Sequence, residues 1–263
     1  MTMITSRANE RVKQVRALRN RHERDRTGLF FAEGARVLRA ALEFDAQIEQ
    51  AVVAPERLAA DERIVLEALS AKHLPLLEVT PAVFDSLSFR EEAQSIGAVV
   101  HQRWETLSSE TAGRRCWVAL HDIQHPGNLG TIIRTNDAIG GDGVILSGQT
   151  TDPYHPVAVR GSLGAVFSQR LVRTTPEELS RWAKASGCTV VGTSPAGDRD
   201  YREADYKAPV LLITGSERIG ISEEQIALCD AVVRIPMAGY VDSLNLSVAT
   251  ALVLYEVYRQ QGP

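Results

Sequence analysis

The chain has 263 residues, 44% apolar and 24% charged, with a formal net charge of −4. That balance suits one large globular domain or two modest ones, and excludes a histone-like basic protein and an acidic disordered one. Three dispersed cysteines, Cys116, Cys188 and Cys229, close no disulfide framework or four-cysteine zinc site and point to the reducing cytoplasm. The polar start has no signal-peptide core, and no apolar run approaches the ~20 residues of a membrane span.

The first thirty residues carry Arg7, Arg11, Lys13, Arg16, Arg19, Arg21, Arg24 and Arg26 against only Glu10, Glu23 and Asp25. Val12, Val15 and Leu18 recur at three-residue spacing, which predicts a short helix with one apolar edge and a cationic remainder. That remainder is a solvated face or a phosphate-facing one. Strands are predicted at 29–32, 51–54, 76–79 and 96–101, with helices at 34–44, 61–72 and 81–87. Residues 105–115, rich in Ser, Thr and Gly and without apolar period, read as a linker. The expected division is therefore a first domain over 1–104, the linker, and a second domain over 116–263.

The second part opens on an aliphatic strand at 117–121, followed by the loop Asp-Ile-Gln-His-Pro-Gly-Asn and a helix that ends at Ile139 before two glycines. Further strands are predicted at 143–147, 165–172, 188–193, 210–214 and 231–235, and helices at 176–186, 222–228 and 244–260. Short aliphatic strands alternating with helices argue for a parallel sheet covered on both faces.

Several common signatures are missing. No G-x-G-x-x-G follows a strand, and the glycine pair of Gly215-Ser-Glu-Arg-Ile-Gly220 is followed by Ile221 where a phosphate loop needs lysine. His121 and His125 have a helical metal-ligand spacing, but Pro126 argues against a helix there and no third ligand is evident, so no metal is expected.

Three polar constellations remain. Residues 121–135 place Asn128 as a candidate N-cap, with Gly130 and Arg134 one turn apart, where the glycine leaves room for a ligand beside the guanidinium. An N-cap followed by a surface arginine reads the same way. Residues 211–220 run a buried strand into a glycine-bounded turn, either a plain connection or a ligand site beyond a strand's carboxyl end. Residues 235–249 put Ser243 and Asn245 before a long helix whose aliphatic face includes Val248, Leu252 and Tyr255, with Asn245 a candidate cap.

In this order, Asn128, Gly130 and Arg134-Thr135, then Gly215-Ser216-Glu217 with Gly220, then Ile235-Pro236-Met237 and Ser243-Leu244-Asn245 resemble the SpoU/TrmH-type RNA 2′-O-ribose methyltransferases of the SPOUT superfamily. Arg160-Gly-Ser-Leu-Gly-Ala165 is similar to that family's middle segment, and the N-terminal stretch with Phe31-Ala-Glu-Gly34 resembles its ribosomal-protein-like substrate-binding domain. His121, in place of an aliphatic residue, and Asn136, in place of a small one, depart from the pattern.

The resemblance implies an α/β fold: a C-terminal SPOUT domain with a mostly parallel sheet and a deep trefoil knot, preceded by a smaller α/β RNA-binding domain. It implies S-adenosylmethionine as methyl donor, held around Gly215, Gly220, Ile235 and Leu244 with Thr193 and Met237 nearby, and a homodimer packed through the last helix. Arg134, Asn128, Glu217, Ser243 and Asn245 would form the catalytic set. Because a guanidinium is rarely deprotonated, Arg134 is expected chiefly to position an RNA phosphate and stabilise a forming alkoxide. Glu217 would organise the donor loop. Arg7, Arg11, Lys13, Arg16 and Arg24 are expected to face RNA. Ribosomal RNA is the expected substrate, an antibiotic-binding loop of the ribosome included; transfer RNA and a non-catalytic RNA-binding role are the alternatives.

Overall fold

The computed structural model describes residues 3–108 and 115–262, so most of the expected linker, 109–114, lies outside the described residues. The chain forms two compact units: 1–103 with 152–168, and 104–151 with 169–263.

In the first unit the cationic start forms two helices, α1 (Glu10–Ala17) and α2 (Arg21–Thr27), capped by the side chains of Asn9 and Asn20. Then come β1 (Leu29–Glu33), α3 (Ala35–Glu43), β2 (Ile48–Val53), α4 (Ala60–Ala71), β3 (Leu76–Glu78), α5 (Pro81–Asp85) and β4 (Ile96–His101). The four strands make one sheet in the order β1-β4-β2-β3. Val12, Val15 and Leu18 bury the apolar edge of α1 against Val52, Leu77, Val83 and Phe84, as their spacing predicts.

In the second unit β5 (Cys116–His121), α6 (Pro126–Ala138) and β6 (Gly143–Ser147) follow one another. The chain then enters the first unit for α7 (Pro156–Ser162) and α8 (Ala165–Ser168). It continues through β7 (Arg170–Thr174), α9 (Pro176–Ser186), β8 (Thr189–Thr193), β9 (Arg199–Asp200), β10 (Val210–Thr214), α10 (Glu223–Ile226), β11 (Ala231–Arg234) and α11 (Leu246–Gln261). Seven strands pair in parallel in the order β7-β6-β5-β10-β8-β11-β9. Central strands β5, β6 and β10 are buried almost throughout, which is why they read as unbroken aliphatic runs.

One expectation needs correction. The predicted strand at 165–172 is instead the end of a helical segment followed by β7, which starts only at Arg170. A short apolar run such as Ala-Val-Phe does not distinguish strand from buried helix by period. The segment Asp152–Ser168, placed by sequence inside the second part, groups with the first unit. Its anchor is chemical: Arg24 Nε lies 2.7 Å from Asp152 Oδ2, both side chains 1% exposed, and Phe30 stacks on Tyr154 at 4.7 Å. The start of the expected linker is also structured, since Glu105 bridges to Val172 and Leu107 packs on the core of the second unit.

Candidate active site

In a parallel sheet, ligands bind beyond the carboxyl ends of strands where the winding direction reverses. Here the chain winds from β5 outward to β6 and β7, then returns to the other side of β5 with β8 to β11. The reversal falls between β5 and β10. The loop after β5 holds Gln124 and His125, the first turn of α6 holds Asn128, and the turn after β10 holds Gly215 to Gly220.

These two segments are tied by one carboxylate. Glu217 Oε1 accepts from Asn128 Nδ2 at 3.0 Å and from the His125 backbone N–H at 3.4 Å, while Oε2 accepts from the Gln124 N–H at 3.3 Å. Burial alone would raise the Glu217 pKa, but hydrogen bonds from its own backbone, Asn128, Gln124 and His125 outweigh that and hold it below the usual carboxylate range. A third segment joins: Asn245 Nδ2 donates to Asn128 Oδ1 at 3.1 Å, and Asn245 Oδ1 accepts from the Ser247 N–H and hydroxyl at 2.9 and 2.7 Å. Glu217, Asn128 and Asn245 therefore form one polar chain across β10, α6 and the start of α11. Asn245 caps α11 as expected.

Asn128 does not cap α6. Pro126 occupies the first helical position, where a missing N–H costs nothing, so His125 becomes the N-cap and Asn128 the third helical residue. Its amide is thereby free to bridge Glu217 and Asn245. Gly130 is buried within α6 and offers no open approach beside Arg134. Arg134 itself is exposed and, among the described residues, makes no hydrogen bond or ion pair. The exposed Ser243 hydroxyl donates to the Asp242 carboxylate at 3.1 Å.

The residues expected around the donor share the carboxyl edge of the sheet. Parallel register sets Thr193 of β8 beside Val233 of β11, and Ile213 of β10 beside Gly192, so Gly215 and Ile235 each follow a strand that ends next to Thr193. The β10 turn closes tightly: a Cβ on Gly215 would lie 1.7 Å from the Gly220 carbonyl oxygen, so only glycine fits there. Beyond β11 the chain stays open, with Met237 and Leu244 each 37% exposed.

Sequence reasoning missed Gln124. Besides its N–H on Glu217, its side-chain amide donates to the carbonyls of Asp122 and Gln149, both at 3.0 Å. It thus joins the β5 and β6 loops to the carboxylate, and its place inside the 121–135 motif was the available signal. His121 likewise spans two loops, with Nδ1 3.0 Å from the Ser147 hydroxyl and Nε2 3.3 Å from Asp122.

Arg24, expected to face RNA, is buried on Asp152 and on the carbonyls of Leu18 and Arg19, and is withdrawn from that set. Arg7, Arg11 and Lys13 are exposed, and Arg16 is half-buried.

A parallel sheet with its polar cluster at the reversal point defines an α/β ligand-binding domain. The profile described as the SpoU rRNA Methylase family matches residues 115–255, and that of an MRM3-like substrate binding domain matches residues 9–98. The chain belongs to the SpoU rRNA methylase family. It is 35% identical to the 23S rRNA (uridine(2479)-2′-O)-methyltransferase of Streptomyces viridochromogenes, over 98% of this chain and 92% of that protein. It is 38% identical to the tRNA (guanosine(18)-2′-O)-methyltransferase of Thermus thermophilus, over 55% of this chain and 74% of that protein. Its fold matches the AdoMet-bound rRNA methyltransferase of Sinorhizobium meliloti with a TM-score of 0.90 at 37% identity, covering 100% of this chain and 99% of that one.

Proposed function

We propose that this chain transfers a methyl group from S-adenosylmethionine to a ribose 2′-hydroxyl of ribosomal RNA. The observation that carries the reading is the polar chain Glu217–Asn128–Asn245, assembled at the reversal point of a sheet that belongs to the SpoU family. Ribosomal RNA is favoured over transfer RNA because the relative named for 23S rRNA aligns with 98% of this chain, whereas the one named for tRNA aligns with 55%.

The carboxyl edge fits the donor. The Thr214 hydroxyl at the end of β10 is buried without a hydrogen-bond partner among the described residues, a polar atom left for a ligand. A side chain at Gly220 would meet nothing within 4 Å, so the turn also has open space beside it. Backbone around Gly215, Ile235 and Leu244 would hold the donor, with Thr193, Gly220 and Met237 alongside. Bound there, the donor supplies an electrophilic methyl group on a cationic sulfur. Glu217, kept ionised by its donors, adds a negative charge that favours a cation at this edge. Asn128 and Asn245 fix the loop geometry that aligns a ribose hydroxyl, and alignment is the main requirement of such a displacement. Arg134, which pairs with no carboxylate among the described residues, is available to an RNA phosphate and to the negative charge that develops on the attacking oxygen. Ser243 supplies a further hydroxyl for orienting the substrate.

We also assign a homodimer to the active form. Val248, Leu252 and Tyr255 form one apolar stripe on α11, 48%, 37% and 54% exposed, and a second copy packed there would cover it. Cys116, Cys188 and Cys229 stand as thiols, which accords with a reducing cytoplasmic setting.

The test is labelled methyl transfer to unmodified ribosomal and transfer RNA, followed by mass-spectrometric mapping. A single ribose-methylated site in ribosomal RNA is expected. Label only on bases, or only in transfer RNA, overturns the assignment.

A further inference from the structure

The structure sorts the basic residues of the N-terminal stretch by partner. Lys13 pairs with Glu10 at 3.4 Å, Arg21 with Asp25 at 3.5 Å, Arg24 with Asp152 at 2.7 Å and Arg26 with Glu23 at 2.7 Å. Those charges are neutralised within the protein. Arg7, Arg11, Arg16 and Arg19 bond instead to neutral acceptors. Arg7 Nε donates to the Ala82 carbonyl at 3.1 Å, and Arg11 Nη2 to Gln50 Oε1 at 3.1 Å. Arg16 donates to the Ser86 hydroxyl at 2.9 Å, the Arg7 carbonyl at 3.1 Å and the Ser86 carbonyl at 3.4 Å. Arg19 Nη2 donates to the Ser88 carbonyl. A guanidinium held on carbonyls loses mobility but keeps its full charge, which is the preorganised state a phosphate needs.

Arg19 carries a second observation. Its guanidinium carbon sits 4.8 Å above the centroid of the Phe89 ring, and its Nε is buried with no hydrogen-bond partner among the described residues. The His155 ring meets Phe89 edge-on at 5.9 Å. Although gripped from two sides, Phe89 remains 42% exposed. It lines a shallow cleft with Arg90 and Arg160, which form no ion pair among the described residues. The counter-charges nearby are Glu33, whose carboxylate accepts from the Ser88 hydroxyl and the Gln94 N–H, and the exposed Glu91 and Glu92 of the same loop. A rigid aromatic ring, half open, amid un-neutralised arginines matches how single-stranded nucleic acid is held: bases stack on the ring and phosphates lie on the guanidinium groups. A duplex keeps its bases stacked on one another and offers no face to such a ring.

We propose that Phe89 is the stacking platform for one unpaired base of the RNA substrate, with Arg16 and Arg19 holding the adjoining phosphate. This rests on RNA being the substrate, and adds that the recognised element is a splayed nucleotide. The full chain is titrated with a short single-stranded oligouridylate and with an RNA duplex of equal length. Phe89→Ala lowers affinity for the single strand about tenfold and leaves the duplex within about twofold, whereas Phe89→Trp retains single-strand binding and reports it by fluorescence quenching. Arg16→Gln with Arg19→Gln reduces the slope of log affinity against log salt by about 0.7 for each phosphate that is no longer neutralised. Single-strand affinity that survives Phe89→Ala, or an equal loss on both RNAs, overturns the platform alone. A wild-type chain that binds neither RNA overturns the RNA reading beneath it.

Discussion

Glu217 Oε1 and Asn128 Nδ2 lie 3.0 Å apart although 89 positions separate the two residues. The same carboxylate accepts the backbone N–H groups of Gln124 and His125, so the turn after β10 closes the N-terminal end of α6. Hydrogen bonds to a charged group contribute about 1.5–3 kcal/mol each. Glu217→Gln keeps the shape but gives up the charge, and methyl transfer is expected to fall by about 10- to 100-fold, one decade per 1.4 kcal/mol. The folded-state pKa is lower than that of a free carboxylate, so the stabilisation is complete above about pH 4.3 and is lost as pH falls through the folded value. Unfolding followed against pH should show a smaller acid-side loss for Glu217→Gln than for the wild type.

Arg134 is exposed on α6 and has no hydrogen-bond or ion-pair partner among the described residues, so its guanidinium is not spent on structure there. Arg134→Lys keeps the positive charge and removes the planar two-point geometry that suits phosphate. Turnover is expected to drop at least about tenfold with thermal stability unchanged. Near-normal turnover of the lysine variant, measured with saturating donor, would discard the two-point role.

The Arg24–Asp152 pair stands at 2.7 Å with both side chains 1% exposed. Removing one partner strands the other charge in the interior, at a cost of about 3–5 kcal/mol. Arg24→Met should lower the denaturation midpoint sharply, and Arg24→Met with Asp152→Leu should recover much of the loss. RNA affinity per folded molecule should stay unchanged, because Arg24 does not reach solvent.

Asn136 and Gly141 depend on each other. Asn136 is fully buried, with Nδ2 donating to the Gly143 carbonyl at 3.1 Å and to Gln169 Oε1 at 2.7 Å. A Cβ on Gly141 would lie 2.1 Å from Asn136 Oδ1. Gly141→Ala is therefore expected to destabilise by about 1–3 kcal/mol through overpacking. Adding Asn136→Ala removes the colliding atom, so the double variant should be more stable than the sum of the two singles. Additive effects in this cycle would disprove the coupling.

His155 caps α7 by accepting the Val157 N–H on Nδ1 at 3.2 Å, which requires that nitrogen to be unprotonated. Burial first, and the Arg24 charge second, hold its pKa below the ordinary histidine value, against the opposing pull of Asp152. The neutral ring's contribution is complete above about pH 6.5 and is lost as pH falls toward the folded value. His155→Asn keeps a cap without the titration, so its stability should be flatter than the wild type's just below that pH.

Legibility in the sequence followed burial. Strands such as Val210–Thr214 and Gly143–Ser147, covered on both faces, appear as aliphatic runs whose predicted bounds match the observed ones. The two-residue β9 has no such run and passes unseen. Glu217, Asn128 and Asn245 are singled out in the sequence because their order and spacing carry the family resemblance, and the structure joins the three by hydrogen bonds. The bond from Gln124 to Glu217 is not legible there, because it is made by a backbone N–H that no side-chain pattern reports. Arg24 shows the opposite failure. Composition makes it one more surface cation, and only its partner 128 positions away reveals that it is interior.

The excursion of Asp152–Ser168 into the first unit has a consequence for biosynthesis. The N-terminal part cannot finish folding when the ribosome has made its last strand, Ile96–His101, because Tyr154 and the acid that neutralises Arg24 have yet to emerge. A fragment cut at 104 leaves a buried cation without its counter-ion, so a fragment meant to hold the whole first unit must retain residues 152–168.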